Sequence, residues 1–134
     1  MRSIKDDLAK VTRALPNGAA AVTSASIDTG KSTRGDHVAG MELLLSAPAL
    51  TVGQQPNDKT LIYDILGSEA DDLSAPTVTV TAVITQLGAA GAGAAAGQYR
   101  YALPSNGPRY WGFKATGDAT GNATTATGTI QLVF

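Results

Sequence analysis

Hydrophobic and polar residues alternate with a period of two through most of the chain beyond residue 20. Val78, Val80, Ala82 and Ile84 are interleaved with Thr77, Thr79, Thr81 and, after a break in the pattern at Val83, Thr85. That is the signature of a strand whose two faces meet different surroundings. Near the C-terminus Tyr99, Tyr101 and Leu103 share a face opposite Arg100, and Trp111, Phe113 and Ala115 share one opposite Lys114. Ile130, Leu132 and Phe134 share a third. Strands are predicted over about 20–28, 41–47, 59–66, 77–86, 98–103, 109–116 and 127–134, separated by Gly/Pro/Asn-rich breakers. Short strands with a turn signal every dozen or so residues predict an all-β, antiparallel sandwich or barrel. Trp111, Phe113, Ile130 and Leu132 are its expected core, with the last two strands joined by a Gly/Thr hairpin.

The first residues read differently. Ile4, Leu8, Val11 and Leu15 recur at i, i+4, i+7 and i+11, the spacing of one helical stripe. Ser3 and Asp6 resemble a capping box, Asp6 and Lys10 form an i,i+4 pair, and Pro16-Asn17-Gly18 ends the run. The pattern predicts a short amphipathic helix over 1–16, followed by a β domain over 17–134. Such a helix is too short to be stable alone, so its stripe must dock. Either it is an attachment arm, with Ile4, Leu8, Val11 and Leu15 as a candidate shell or subunit interface, or it caps its own sandwich.

Composition narrows the function. The 134 residues suit one domain, and 10 Lys plus Arg against 11 Asp plus Glu leave no basic field to gather nucleic acid. Cysteine is absent, which excludes disulfides and thiolate metal sites. The N-terminus is charged where a signal peptide would be apolar, and no run approaches a membrane span, so a soluble protein made in a cytoplasm is expected. The stretch from Gly88 to Gly97 is low in complexity and is expected to form a mobile loop.

Candidate chemistry is sparse. The run from Ala25 to Gly30-Lys31-Ser32 is close to a phosphate-binding loop, but it lacks the first glycine and no helical pattern follows it. Arg34-Gly35-Asp36 matches an adhesion tripeptide, and Asn122-Ala123-Thr124 fits a glycosylation sequon but reads as a turn. His37 is the single histidine, with no nucleophile or second ligand beside it in the pattern. Glu69, Asp71 and Asp72 form an acidic turn without EF-hand spacing. We therefore expect no catalytic residues, no metal and no cofactor.

The order of features resembles the small jelly-roll cement, or decoration, proteins of tailed-bacteriophage capsids. The resemblance rests on SASIDTG (24–30), YDILGSEADDLSAPT (63–77), the Gly/Ala-rich tract, YALPSNGPRYWGFKATG (101–117) and TGTIQLVF (127–134). In that family a Leu-Pro precedes a short turn and an Arg-aromatic strand, positions filled here by Leu103-Pro104 and Arg109-Tyr110-Trp111. The predicted N-terminal helix departs from the family. The resemblance implies a sandwich of jelly-roll type, no enzymatic activity, and a place on the outside of the virion. It also implies two partners: the major capsid protein of a phage shell, and further copies of the chain in a symmetric dimer or trimer. Neither nucleic acid nor membrane is an expected partner. A carbohydrate- or receptor-binding sandwich is the alternative, with Tyr99, Tyr101, Tyr110 and Trp111 as an exposed stacking row. An enzyme on the same scaffold would need more histidine or carboxylate ligands than the pattern provides.

Overall fold

A computed structural model describes residues 5–30, 41–104, 106–118 and 120–133. Its strands are β1 (Lys5–Ala14), β2 (Ala21–Thr23), β3 (Ile27–Asp28), β4 (Glu42–Ala47), β5 (Thr60–Ser68), β6 (Val78–Leu87), β7 (Gly97–Ala102), β8 (Tyr110–Thr116) and β9 (Thr127–Val133). They form two antiparallel sheets, one ordered β1-β9-β4-β7 and the other β2-β8-β5-β6, with β3 also on β8. The chain is all-β, as the period-two pattern predicted, and the sheets pack as a sandwich.

The helix expected over 1–16 is absent among the described residues: residues 5–14 form β1, which pairs with β9. The reason lies in the register. Lys5 pairs with Val133 but Lys10 with Gln131, an odd-numbered shift that changes which alternate residues face the core. A strand with such a shift can carry an apolar spacing that departs from strict alternation. Pairing β1 also covers one edge of β9, which an isolated helix of this length could not match energetically.

The C-terminal hairpin is a second correction. β8 and β9 lie in different sheets: β8 pairs with β5, β2 and β3, and β9 with β1 and β4. β7 pairs with β4, so none of the last three strands pairs with another. Alternation records which face of a strand is buried and says nothing of its neighbour. The expected strand over 20–28 is split into β2 and β3. Between them Ser24 stays on β8, its N–H donating to Phe113 O and its Oγ accepting from Phe113 N.

The two inner faces meet around Trp111, Tyr63 and Phe113, the largest fully buried side chains, with Leu43, Leu45, Leu61, Ile65 and Ile130. Trp111 lies against Gly67, its direct partner across the sheet; a Cβ there would stand 2.8 Å from the indole and from Pro108 Cγ. The indole N–H donates to Pro108 O at 2.9 Å, so the ring is buried with its donor satisfied. Tyr63 donates to Gln86 Oε1 at 2.8 Å, and Gln86 Nε2 donates to Pro48 O and Ala95 O. That buried network ties the middle of the core to two loops at one end of the sandwich.

Candidate docking surface

Four segments close that end of the sandwich: 15–20, 48–59, 88–96 and 117–126. Their backbones bond mainly to one another. Gly18 N–H donates to Gly121 O at 2.9 Å, Ala123 N–H to Pro16 O at 3.2 Å, and Asn122 N–H to Gly53 O at 3.3 Å. Leu50 and Ala94 exchange both bonds, at 2.8 and 2.9 Å. Gln54 Nε2 donates to Thr125 Oγ1, and Gly91 N–H to Asn57 Oδ1, both at 2.9 Å. The Gly88 to Gly97 tract is thus hydrogen-bonded onto its neighbours rather than left as the unattached loop its composition suggested. Gly93 is needed there: it has φ +74, and any side chain would collide with the Leu50 carbonyl.

This end carries little charge. Asp58, Lys59 and Asp118 are the charged residues of the four segments, and none occurs from Leu73 to Tyr99. Val52 and Leu87, the large hydrophobic side chains left exposed among the described residues, both lie here, at 46% and 54% exposure. Around them Ala49, Ala89, Ala90, Ala92, Ala95 and Ala96 are exposed. The result is a surface of small side chains with few charges, its loops bonded to one another.

The opposite end is charged. Arg109 grips Asp28 through two bonds, Nε to Oδ1 at 2.7 Å and a second guanidinium nitrogen to Oδ2 at 2.8 Å, and stacks over the Tyr110 ring. The Arg109 guanidinium and the Gly30 N–H hold the Asp28 carboxyl below the usual carboxylate range. The acidic turn also lies here. The Ser74 side chain and the Ser74 N–H both hydrogen-bond to the Asp72 carboxylate and lower its pKa, and the Asp71 carbonyl accepts from Ser26 Oγ at 2.6 Å. Leu73, at φ +58, folds this turn onto Gly112 on the outer face of the second sheet. Under it lies a cavity of about 380 Å³ between Asp64 and Lys114 on the sheet and Asp72 and Ser74 on the turn. It is lined by hydroxyls and by both signs of charge. Among the described residues no three His, Cys, Asp or Glu come together to hold a metal.

The residues singled out in the sequence are scattered. Lys31, Ser32, Arg34-Gly35-Asp36 and His37 lie outside the described residues, as does Ile4 of the predicted stripe. Leu8 is in the stretch of β1 across which the register shifts. Leu15 is buried at 1% exposure and Val11, half-buried, packs against the same core. Asn122 of the sequon accepts both the N–H and the hydroxyl of Thr124, a local Asx turn. Trp111 is buried, and Tyr99 and Tyr101 pack against the core, Tyr101 with its ring 5.5 Å from the Trp111 ring. Trp111, Tyr99 and Tyr101 of the alternative row therefore pack inward, while Tyr110 is half-buried beneath Arg109 at the charged end. This end was visible in the sequence only as charge-poor stretches; their convergence needed the fold. No protein-family model matches the chain, and a search of curated proteins finds no relative.

Proposed function

We propose that this chain is a structural virion protein of the cement or decoration type. It binds the outside of a tailed-phage capsid across the junctions between major capsid protein subunits and resists their separation. The observation that carries this reading is the sparsely charged end: four loops bonded to one another, with Val52 and Leu87 exposed on it. A ligand that binds only the assembled shell stabilises it by mass action, and many copies sum modest interfaces into a large effect. A surface whose loops are already ordered loses little entropy on docking.

The jelly-roll form of the sandwich is part of the proposal, and the strand order supports it. With β2 and β3 taken as one broken strand there are eight, in two sheets of four, and every connection but the β5–β6 hairpin passes between sheets. A strand in place of the N-terminal helix also removes the one departure from the family resemblance. The protein acts without catalysis, metal or cofactor in this reading, on the capsid exterior.

Co-sedimentation with empty shells of the parent phage, followed by negative-stain imaging, tests the proposal. The wild-type chain is expected to sediment with shells and to raise their resistance to heat. Val52→Asp and Ala92→Asp, both on exposed loop positions, should weaken shell binding at least about tenfold with unchanged melting. Shells that neither retain nor are stabilised by the wild-type chain would sink the reading.

A further inference from the structure

The cavity under the acidic turn has a floor made by four strands of the second sheet. Thr23, Lys114 and Asp64 stand side by side across β2, β8 and β5, and Leu66 and Thr79 face each other on β5 and β6. Tyr63 and Ile65, on either side of Asp64, are fully buried in the core, so this row lies on the outer face. The turn roofs it with Asp72, Leu73 and Ser74. That roof is tied down. Leu73 packs over Gly112, Ser26 Oγ donates to the Asp71 carbonyl at 2.6 Å, and Ser68 Oγ donates to Ala75 O at 3.2 Å while accepting from Ala70 N–H at 3.0 Å. Walls held in this way lose little entropy when a ligand enters.

Lys114 and Asp64 are direct partners in the register, where opposite charges ordinarily pair. They do not pair here. Among the described residues the ion pairs join Arg100 to Glu42 and Arg109 to Asp28. The Asp64 carboxylate instead accepts from Ala82 N–H at the bulge, and the Asp72 carboxylate accepts from Ser74. Both acids are thus anchored to the backbone, and the half-buried Lys114 stands in the cavity wall with no ion pair among the described residues.

We propose that this cavity binds a neutral sugar, a mono- or disaccharide, through hydroxyls that bridge Lys114 to Asp64 and Asp72. A hydroxyl accepts from an ammonium through its oxygen and donates its proton to a carboxylate, so neighbouring hydroxyls close the gap between the lysine and the two acids. Leu66, Leu73 and Pro76 offer an apolar wall to the C–H face of the ring. Charge selects against other ligands: an anion would meet two carboxylates, and a cation would meet the ammonium. The volume, about 380 Å³, is at the small end of the range of about 300–1,000 Å³ for small-molecule sites. None of these residues belongs to the four loops that carry Val52, so the inference does not rest on shell binding.

Amide NMR spectra of the full chain, titrated with the methyl glycosides of glucose, galactose, mannose and N-acetylglucosamine, test this. At least one should shift the amides of Asp64, Ser74, Thr79 and Lys114 with a dissociation constant of about 1 mM. Lys114→Met should weaken that binding at least about tenfold, the loss expected of a hydrogen bond to a charged group. Thr79→Arg, at an exposed strand position, should abolish it by filling the cavity and pairing with its carboxylates. Both variants should melt like wild type, and Val52→Asp should keep the wild-type sugar affinity, which separates this site from the docking end. Absence of those shifts with every glycoside at about 50 mM overturns the proposal. Binding that survives in either cavity variant overturns it too, as does a stronger response to acetate or glycine than to any glycoside, which would make the site one for ions.

Discussion

The carboxylate of Asp64 accepts the backbone N–H of Ala82 at 2.8 Å, replacing a bond that the β5–β6 ladder loses at its bulge. Ala82 itself has φ +54, which a residue with a Cβ adopts at a cost. Ala82→Gly should therefore raise stability by up to about 1 kcal/mol, the relief of strain outweighing the extra freedom of the unfolded chain. Asp64→Ala should lower it by about 1–2 kcal/mol. Urea titration of both variants measures this; a destabilised Ala82→Gly would contradict the account of the bulge.

Trp111 and Gly67 make a matched pair across β5 and β8. Trp111→Ala should cost about 3–5 kcal/mol, enough to threaten a domain of this size. Gly67→Ala should destabilise as well, since its methyl group meets the indole and Pro108 on rigid neighbours. Thermal melts and Trp fluorescence of Gly67→Ala read the displacement directly; an unchanged emission maximum and melting point would count against the packing described.

Burial pushes the Tyr63 phenol well above its ordinary range. A group whose pKa is raised by folding contributes stability that is present below its unfolded value, about 10, and is lost as pH rises beyond it. The alkaline limb of the stability profile should thus steepen above about pH 10 and flatten in Tyr63→Phe. The same variant should lose about 1–2 kcal/mol at neutral pH, because Gln86 Oε1 is left without its donor.

Asp28 behaves in the opposite sense. Its carboxyl is lowered by the Arg109 bond, so its contribution is present above the unfolded value near 3.8 and is lost as pH falls through the folded one. The pair is 44% exposed on both sides, so the effect should be small and should shrink in high salt. Asp28→Asn should flatten the acid limb below about pH 4 at low ionic strength. An acid limb identical to wild type would assign it to other carboxylates.

A chain beginning at Pro16 lacks β1 and Leu15. Leu15 alone should contribute about 2–5 kcal/mol as a fully buried leucine, and loss of β1 uncovers the edge of β9. The truncated protein should melt far below the full chain and aggregate. Equal melting temperatures would restore the detachable arm that the helical spacing suggested.

What the sequence determined by itself was the local alternation. The strand positions from Met41 onward, the inward faces of Trp111, Phe113, Ile130 and Leu132, and the irregularity near Val83 follow from period-two patterning, and the observed bulge falls beside that break. It could not distinguish a helix from a bulged strand over residues 5–14, because a register shift changes the period that separates them. Nor could it place β8 and β9 in opposite sheets, since side-chain alternation is the same whichever strand supplies the hydrogen bonds. The convergence of loops that forms the candidate docking surface belongs to that second kind of fact. Its residues lie in four segments as far apart in sequence as Asn17 and Asn122, which meet in an isolated bridge. Only the tertiary structure, by choosing which strands pair and hence which loops converge, brings those charge-poor stretches to one end.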